Sequence, residues 1–171
     1  MTETVVAAPL ALVLHWKDAA GNGAAGPLAS LDLRWAAGLA GRYPAPQPAL
    51  RLSERGRILG AALADYVQGR AAAWPEVDVD MEPLSKFSRT VLTTLRNEVP
   101  AGATVSYGAL AALCGQPGAA RAVGRAMATN PWPLLYPCHR VLGASGALTG
   151  FGPGVEMKRY LLELEGVPLR S

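Results

Sequence analysis

Few residues of this 171-residue chain carry a formal charge: Asp, Glu, Lys and Arg together make up 17%, well under the quarter usual for globular chains. With 50% hydrophobic residues, the chain can bury a core and is not a disordered one. Its length suits one ordinary domain or two small ones. Cysteine and histidine are scarce, two of each, and neither a CxxC nor an HxxxH spacing occurs. A structural zinc site takes four such ligands at characteristic spacing, and the adjacent Cys138 and His139 would chelate one ion poorly. No metal and no cofactor is expected. Two thiols are too few for a disulfide framework and fit a reducing compartment. Long apolar runs are also missing. The run from Val5 to Leu14 is too short to span a bilayer as a helix. It also lacks the basic start and small-residue cleavage site of a signal peptide. It reads as a buried strand, and the protein as cytoplasmic (nuclear in a eukaryote), without a membrane partner.

One more absence is local. From Val99 to Val155 there is no acidic residue, and the only formal charges are Arg121, Arg125 and Arg140. Residues 1–82 hold seven basic and nine acidic side chains, net −2; residues 83–171 hold nine and four, net +5. A basic half points to an anionic partner. A buried segment with few charges would look similar.

What is present organises the chain in two parts. Residues 5–16 and 28–35 read as strands separated by the glycine-rich stretch Gly21 to Pro27, and residues 41–48 as a proline-rich loop. Residues 53–69 read as a helix with Ser53 as N-cap. The stretch 71–83, with Pro75, Asp78, Asp80, Glu82 and Pro83, reads as a solvated linker. These divide the chain into 1–82, an α/β domain with a small sheet, and 83–171, a mostly helical domain. Phe87, Val91, Leu92 and Leu95 have helical spacing and form a core face, and Pro100-Ala101-Gly102 stops that helix. Ser106 caps a helix that closes at Gly115, with Leu110, Leu113 and Cys114 on its inner side. After the turn Gln116-Pro117-Gly118, a further helix runs from Ala119 to about Thr129.

Helix, tight turn, helix is a DNA-binding pattern, though many packed helix pairs share it. In the second helix Arg121 and Arg125 share one face. Val123 and Met127 share another, about 200° away at about 100° per residue. Its other residues are small: Ala119, Ala120, Ala122, Gly124, Ala126 and Ala128. Such a surface allows close approach to another backbone, whether nucleic acid or a neighbouring helix.

The chemistry-bearing segment runs from Asn130 to Val141. Pro131, Pro133 and Pro137 exclude a regular helix, so the chain is read here as extended and stiff, ending on Cys138-His139-Arg140. A cysteine becomes a strong nucleophile as thiolate, beside a cation or base, and His139 and Arg140 are candidates. Successive residues of an extended chain point to opposite sides, so a bend or a water is needed for His139 to serve the thiol. Cys114 and His15 read as packing residues.

The segment Pro137-Cys138-His139-Arg140-Val141 resembles the active-site motif of the O6-alkylguanine-DNA alkyltransferases. The likeness continues through Val105-Ser106-Tyr107, Ala120 to Gly124, Asn130-Pro131, Gly146, the glycine-rich Gly150 to Gly154, and Lys158 to Gly166, over roughly residues 84–168. The resemblance implies direct-reversal DNA repair. A damaged guanine is flipped from double-stranded DNA, approached from the minor groove by a helix-turn-helix, and its alkyl group passes irreversibly to Cys138. It implies a monomer, no cofactor and one alkyl group per molecule.

By the same resemblance, His139 is the base acting through a water and Glu165 orients it. Glu165 stands out by itself as well, an acid in a last helical turn where the dipole disfavours it. Tyr107 resembles the phenol that helps rotate the nucleotide and hydrogen-bonds guanine N3. Arg121 resembles the finger that fills the gap in the duplex, with Ala122 and Arg125 beside it on the DNA side. Asn130 resembles the hinge joining recognition helix to active-site loop. Pro133, Val141, Ser145 and Phe151 resemble pocket residues. Phe151 and Pro153 depart from the tyrosine or polar residues of many members, and the N-terminal half shares only the family's broad character. The alternative is a non-catalytic helix-turn-helix module that recognises alkylated DNA; a cysteine hydrolase lacks a convincing oxyanion site.

Overall fold

The computed structural model describes residues 1–19, 24–37, 45–70 and 74–169. The chain forms two compact units, Met1–Asp80 and Met81–Ser171.

The first unit is an antiparallel sheet of three strands, β1 (Thr2–Ala7), β2 (Leu10–Ala19) and β3 (Ala24–Trp35), in the order β1-β2-β3. The run from Val5 to Trp16, expected to be one strand, is therefore two. Pairs such as Val5↔Leu12 and Ala7↔Leu10 close a hairpin at Ala8-Pro9. Pro9 has no N–H to give to a ladder, and a strand cannot continue through it. Alternation on β2 sends Leu10, Leu12, Leu14 and Trp16 to one face, where they are buried with Val5, Leu31 and Leu33. Helix α1 (Glu54–Val67) lies over that face, burying Leu59, Leu63 and Tyr66 at helical spacing.

Ser53 caps α1, its Oγ accepting from Gly56 N at 3.0 Å. The buried carboxylate of Glu3 accepts from Ser53 Oγ at 2.9 Å, from Ser53 N, and from Trp16 Nε1 at 2.8 Å. One acid thus ties β1, β2 and the start of α1 together. Of the stretch read as a linker, residues 71–73 lie outside the described residues, as do 21–23 of the glycine-rich stretch and 41–44 of the proline-rich loop. The rest is not simply solvated. Leu28 N donates to Asp78 O and Asp80 N to Leu28 O, and Lys17 pairs with Asp80 at 2.6 Å.

The second unit is mostly helical. Helix α2 (Lys86–Glu98), capped by Ser85, buries Val91, Leu92 and Leu95, with Phe87 half-buried. A short strand β4 (Val105–Ser106) leads into α3 (Tyr107–Leu113), capped by Ser106. A turn bracketed by Gly115 (φ 72) and Gly118 (φ 92), conformations that suit residues without a Cβ, joins α3 to α4 (Ala120–Ala128). Leu110 and Ala111 form the inner side of α3, whereas Leu113, expected there, is 55% exposed and Cys114 half-buried. Leu113 belongs to the last turn, about 60° round from Leu110 and further still from Ala111. On α4, Val123, Ala126 and Met127 are buried and Arg121 and Arg125 exposed. Strand β5 (Val141–Leu142) pairs in parallel with β4, and α5 (Val155–Leu164) buries Met157, Lys158, Leu161 and Leu162. Among the described residues, no helix is long and apolar enough to cross a membrane.

Candidate active site

Between α4 and β5 the chain is folded back on itself, not extended as expected. Leu134 has φ 74, Tyr136 N donates to Trp132 O at 2.9 Å, and Cys138 N donates to Tyr136 O at 2.7 Å. The prolines do exclude an α-helix, but they leave the carbonyls free to close short turns. Cys138–Arg140 then forms a single 3-10 turn, with residues 132–140 all buried. At three residues per turn, neighbours diverge by about 120° instead of opposing each other. The Cys138 and His139 side chains therefore do not oppose each other as they would in an extended chain.

Asn130, just past α4, organises the turn. Its Nδ2 donates to Tyr136 O at 2.8 Å and to Cys138 Sγ at 3.1 Å, and its Oδ1 accepts from Trp132 N at 3.0 Å. One side chain joins the helix end, the loop and the thiol. Burial pushes the Cys138 thiol up from its ordinary pKa; the Asn130 hydrogen bond and the positive charge of Lys158 oppose that. At neutral pH the balance favours the protonated thiol.

His139 and Glu165 meet at the C-terminal end of α5, His139 Nε2 lying 2.8 Å from Glu165 Oε1. Arg140 grips the same carboxylate, Nε to Oε2 at 2.8 Å and a terminal nitrogen to Oε1 at 2.9 Å, while its other terminal nitrogen donates to Val99 O at 2.7 Å. All three side chains are 6% exposed or less. Burial raises the Glu165 carboxyl, but hydrogen bonds and charge from His139 and Arg140 outweigh it and hold it at about 2. It is ionised and can only accept, so His139 Nε2 carries the hydrogen. Burial, aided by Arg140 and Lys158, lowers the His139 pKa despite Glu165. The ring is neutral with its lone pair on Nδ1, a buried atom without a hydrogen-bond partner among the described residues.

Lys158 is fully buried, its Nζ donating to Val141 O at 2.6 Å and Thr149 O at 3.3 Å, and burial brings its pKa down to about 8. Only its neighbours singled it out in the sequence, yet a signal was there. Lys158 sits three and four residues before Leu161 and Leu162, on the apolar stripe of its helix.

The other expected residues are placed less uniformly. Tyr107 begins α3; its hydroxyl is 2.8 Å from Thr149 Oγ1, and its ring is the nearest neighbour that a side chain at Gly124 would meet. The Phe151 ring stands edge-on to His139, centroids 6.4 Å apart. Pro133 is buried within the turn, and the Val141 carbonyl is held by Lys158. Ser145 is exposed and lines an open pocket of about 250 Å³ with Gly146, Ala147, Leu148, Arg159 and Leu169, without Cys138 or His139. Arg121 and Arg125 stand out from α4 with Ala122 half-buried between them. Among the described residues, no group of three or more His, Cys, Asp or Glu side chains could hold a metal ion.

A buried thiol thus lies one residue from a neutral imidazole that is backed by an ionised carboxylate. Residues 86–167 match the family model for the 6-O-methylguanine DNA methyltransferase, DNA binding domain. The chain is similar to the methylated-DNA–protein-cysteine methyltransferase of Salmonella typhimurium, 44% identical over 108 residues that cover 63% of this chain and 62% of that protein. It is similar to the enzyme of the same name from Mycolicibacterium paratuberculosis, 43% identical over 66% of this chain and 68% of that protein. Its fold superposes on the crystal structure of Mycobacterium tuberculosis OGT in complex with DNA with a TM-score of 0.70 and 36% identity, covering 96% of this chain and 91% of that one. The chain belongs to the methylated-DNA–protein-cysteine methyltransferase family.

Proposed function

We propose that this protein repairs DNA by direct reversal, moving the alkyl group of O6-alkylguanine irreversibly to Cys138. The observation that carries this reading is the bare, buried Nδ1 of a neutral His139 in the same 3-10 turn as a buried thiol. A water between the two would pass the Cys138 proton to Nδ1, with Glu165 stabilising the imidazolium that forms. The thiolate attacks the alkyl carbon, the carbon–O6 bond breaks, and its electron pair stays on the guanine. Tyr107, hydrogen-bonded to Thr149, would offset the charge on the leaving guanine by donating to N3. The product is a thioether, which no group in the site can cleave, so one molecule accepts one alkyl group. A DNA-binding module without transfer activity would have no use for this thiol–imidazole–carboxylate arrangement.

The partner is double-stranded DNA. The pair α3–α4 would act as a helix-turn-helix entering the minor groove on the small-residue face of α4. The flipped base would sit against Tyr107, Phe151, Val141, Pro133 and Ser145. Arg121 would fill the gap it leaves, and Arg125 would bind phosphate. The net +5 of residues 83–171 supports an anionic partner. The protein would work as a monomer in the compartment that holds the DNA, the cytoplasm or, in a eukaryote, the nucleus.

The test is peptide mass spectrometry after mixing the protein with a duplex holding one O6-methylguanine. One methyl group on the Cys138 peptide, in proportion to lesion, is expected. Tight lesion-selective binding with no added mass would make the protein a recognition module instead.

A further inference from the structure

We infer that Arg140 is a positioning residue of the transfer reaction: its grip on both oxygens of Glu165 fixes His139 with a bare Nδ1 and limits how strongly that carboxylate draws a proton onto the imidazole. This rests on the alkyl-transfer reading and deepens it.

A buried carboxylate beside a histidine has two opposite effects. It orients the ring, which helps a base, and it stabilises the imidazolium, which leaves no lone pair to act as base. A histidine protonated before the substrate arrives cannot take the cysteine proton. Arg140 separates the two effects. Its guanidinium cancels the carboxylate charge that the imidazole would otherwise face alone. Its planar fork also holds both oxygens, so the carboxylate cannot rotate away from Nε2. Oε1 accepts from His139 at 2.8 Å and from Arg140 at 2.9 Å at once.

The guanidinium is itself immobilised by Val99 O at 2.7 Å, at the end of α2. Three elements therefore converge on the carboxylate: the end of α2, the Cys138–Arg140 turn and the end of α5. Among the described residues, the charged groups that act on His139 are Lys158 on α5, Glu165 just past its end, and the neighbouring Arg140; the Phe151 ring beside it is uncharged. Of the two cations, Arg140 alone bonds the carboxylate. A merely structural Arg140 would hold the turn to α2 and have no effect on when the imidazole titrates.

The test uses the full chain with Arg140→Gln and Arg140→Lys. The His139 ring nitrogens are followed by NMR, and single-turnover methyl transfer from an O6-methylguanine duplex is followed between about pH 5 and pH 9. In Arg140→Gln the His139 midpoint should rise by about one pH unit or more, and the acid limb of the transfer rate should move up with it. Transfer then falls several-fold more at the acid end than at the alkaline end. Arg140→Lys keeps the charge but not the fork, so its midpoint should move less, while both neutral tautomers of His139 become populated. An unmoved midpoint with a rate loss equal at every pH would overturn the inference. So would a pure Nε2–H tautomer in Arg140→Lys, which decides the matter if Arg140→Gln does not fold. If the unmodified protein transfers no methyl group, the alkyl-transfer reading fails, while the His139 titrations still decide what Arg140 does.

Discussion

Replacing Glu165 by glutamine removes one charge and leaves the shape nearly unchanged, and the structure sets the size of the effect. The carboxylate accepts hydrogen bonds from His139 Nε2 and from two nitrogens of Arg140, at 2.8–2.9 Å. Its pKa falls from 4.5 to about 2, which by linkage corresponds to about 3 kcal/mol of stability at neutral pH. An acid with a depressed pKa in the folded state contributes that stability fully above pH 4.5 and loses it as pH falls towards 2. Glutamine also leaves the buried Arg140 unpaired, and breaking a buried pair costs about 3–5 kcal/mol. Glu165→Gln should therefore be about 3–5 kcal/mol less stable near pH 7. It should also lack a pH dependence that the parent shows, a loss of about 1 kcal/mol between roughly pH 5 and pH 3.5 from this group alone. Amide hydrogen exchange in α5 reads the stability of this unit directly. Methyl transfer should slow by about 10²–10⁴-fold, since the ring loses the group that selects its tautomer. Equal stability of the two proteins at neutral pH, or the same acid dependence in both, would refute the reasoning, because neither is compatible with an ionised Glu165 at this junction.

Three other outcomes are expected. Arg121→Ala should slow methyl transfer from duplex DNA by at least about tenfold while leaving attack on the free O6-alkylguanine base unchanged, since an intercalating side chain matters only when a base is extruded; equal slowing of both would remove its assigned role. Lys158→Met should abolish a gain in stability that the parent shows in urea unfolding as pH rises from about 8 towards 10.5, because burial lowers the pKa of this ammonium from 10.5 to about 8 in the folded state; the same alkaline dependence in both proteins would refute a costly burial of that charge. Gly56→Ala should destabilise the first unit by about 1–3 kcal/mol in urea unfolding, because its Cβ would lie 2.6 Å from Glu3 Oε2, a carboxylate already pinned by Ser53 and Trp16; unchanged stability would show that Glu3 can move.

The helices of the second unit were legible because their signals are local. Ser85 and Ser106 cap helices whose apolar residues recur at three and four positions, and glycines close the turn between α3 and α4. The sheet was legible as strands but not as a hairpin. Continuous hydrophobicity from Val5 to Leu14 concealed a turn that only Pro9 signalled, and that turn decides which residues face α1. The loop before Cys138 was misread because three prolines exclude an α-helix without choosing between an extended chain and a stack of tight turns. Hydrogen bonds from Asn130 make that choice, and they reach across six and eight residues.

By itself the sequence determined which groups could do chemistry here. It supplied one cysteine followed by histidine and arginine, an acid at a helix end that ordinary helix electrostatics disfavours, and a half of the chain with a net positive charge. Those are properties of residue type and near spacing, which need no fold to be read. Only the tertiary structure decided what these groups are to one another. Glu165 lies 26 residues from His139, Lys158 is 17 from Val141, and Val99 is 41 from Arg140. Contacts at such separations arise when α2, the Cys138–Arg140 turn and α5 pack together. Burial at that junction then sets which of the groups carry charge.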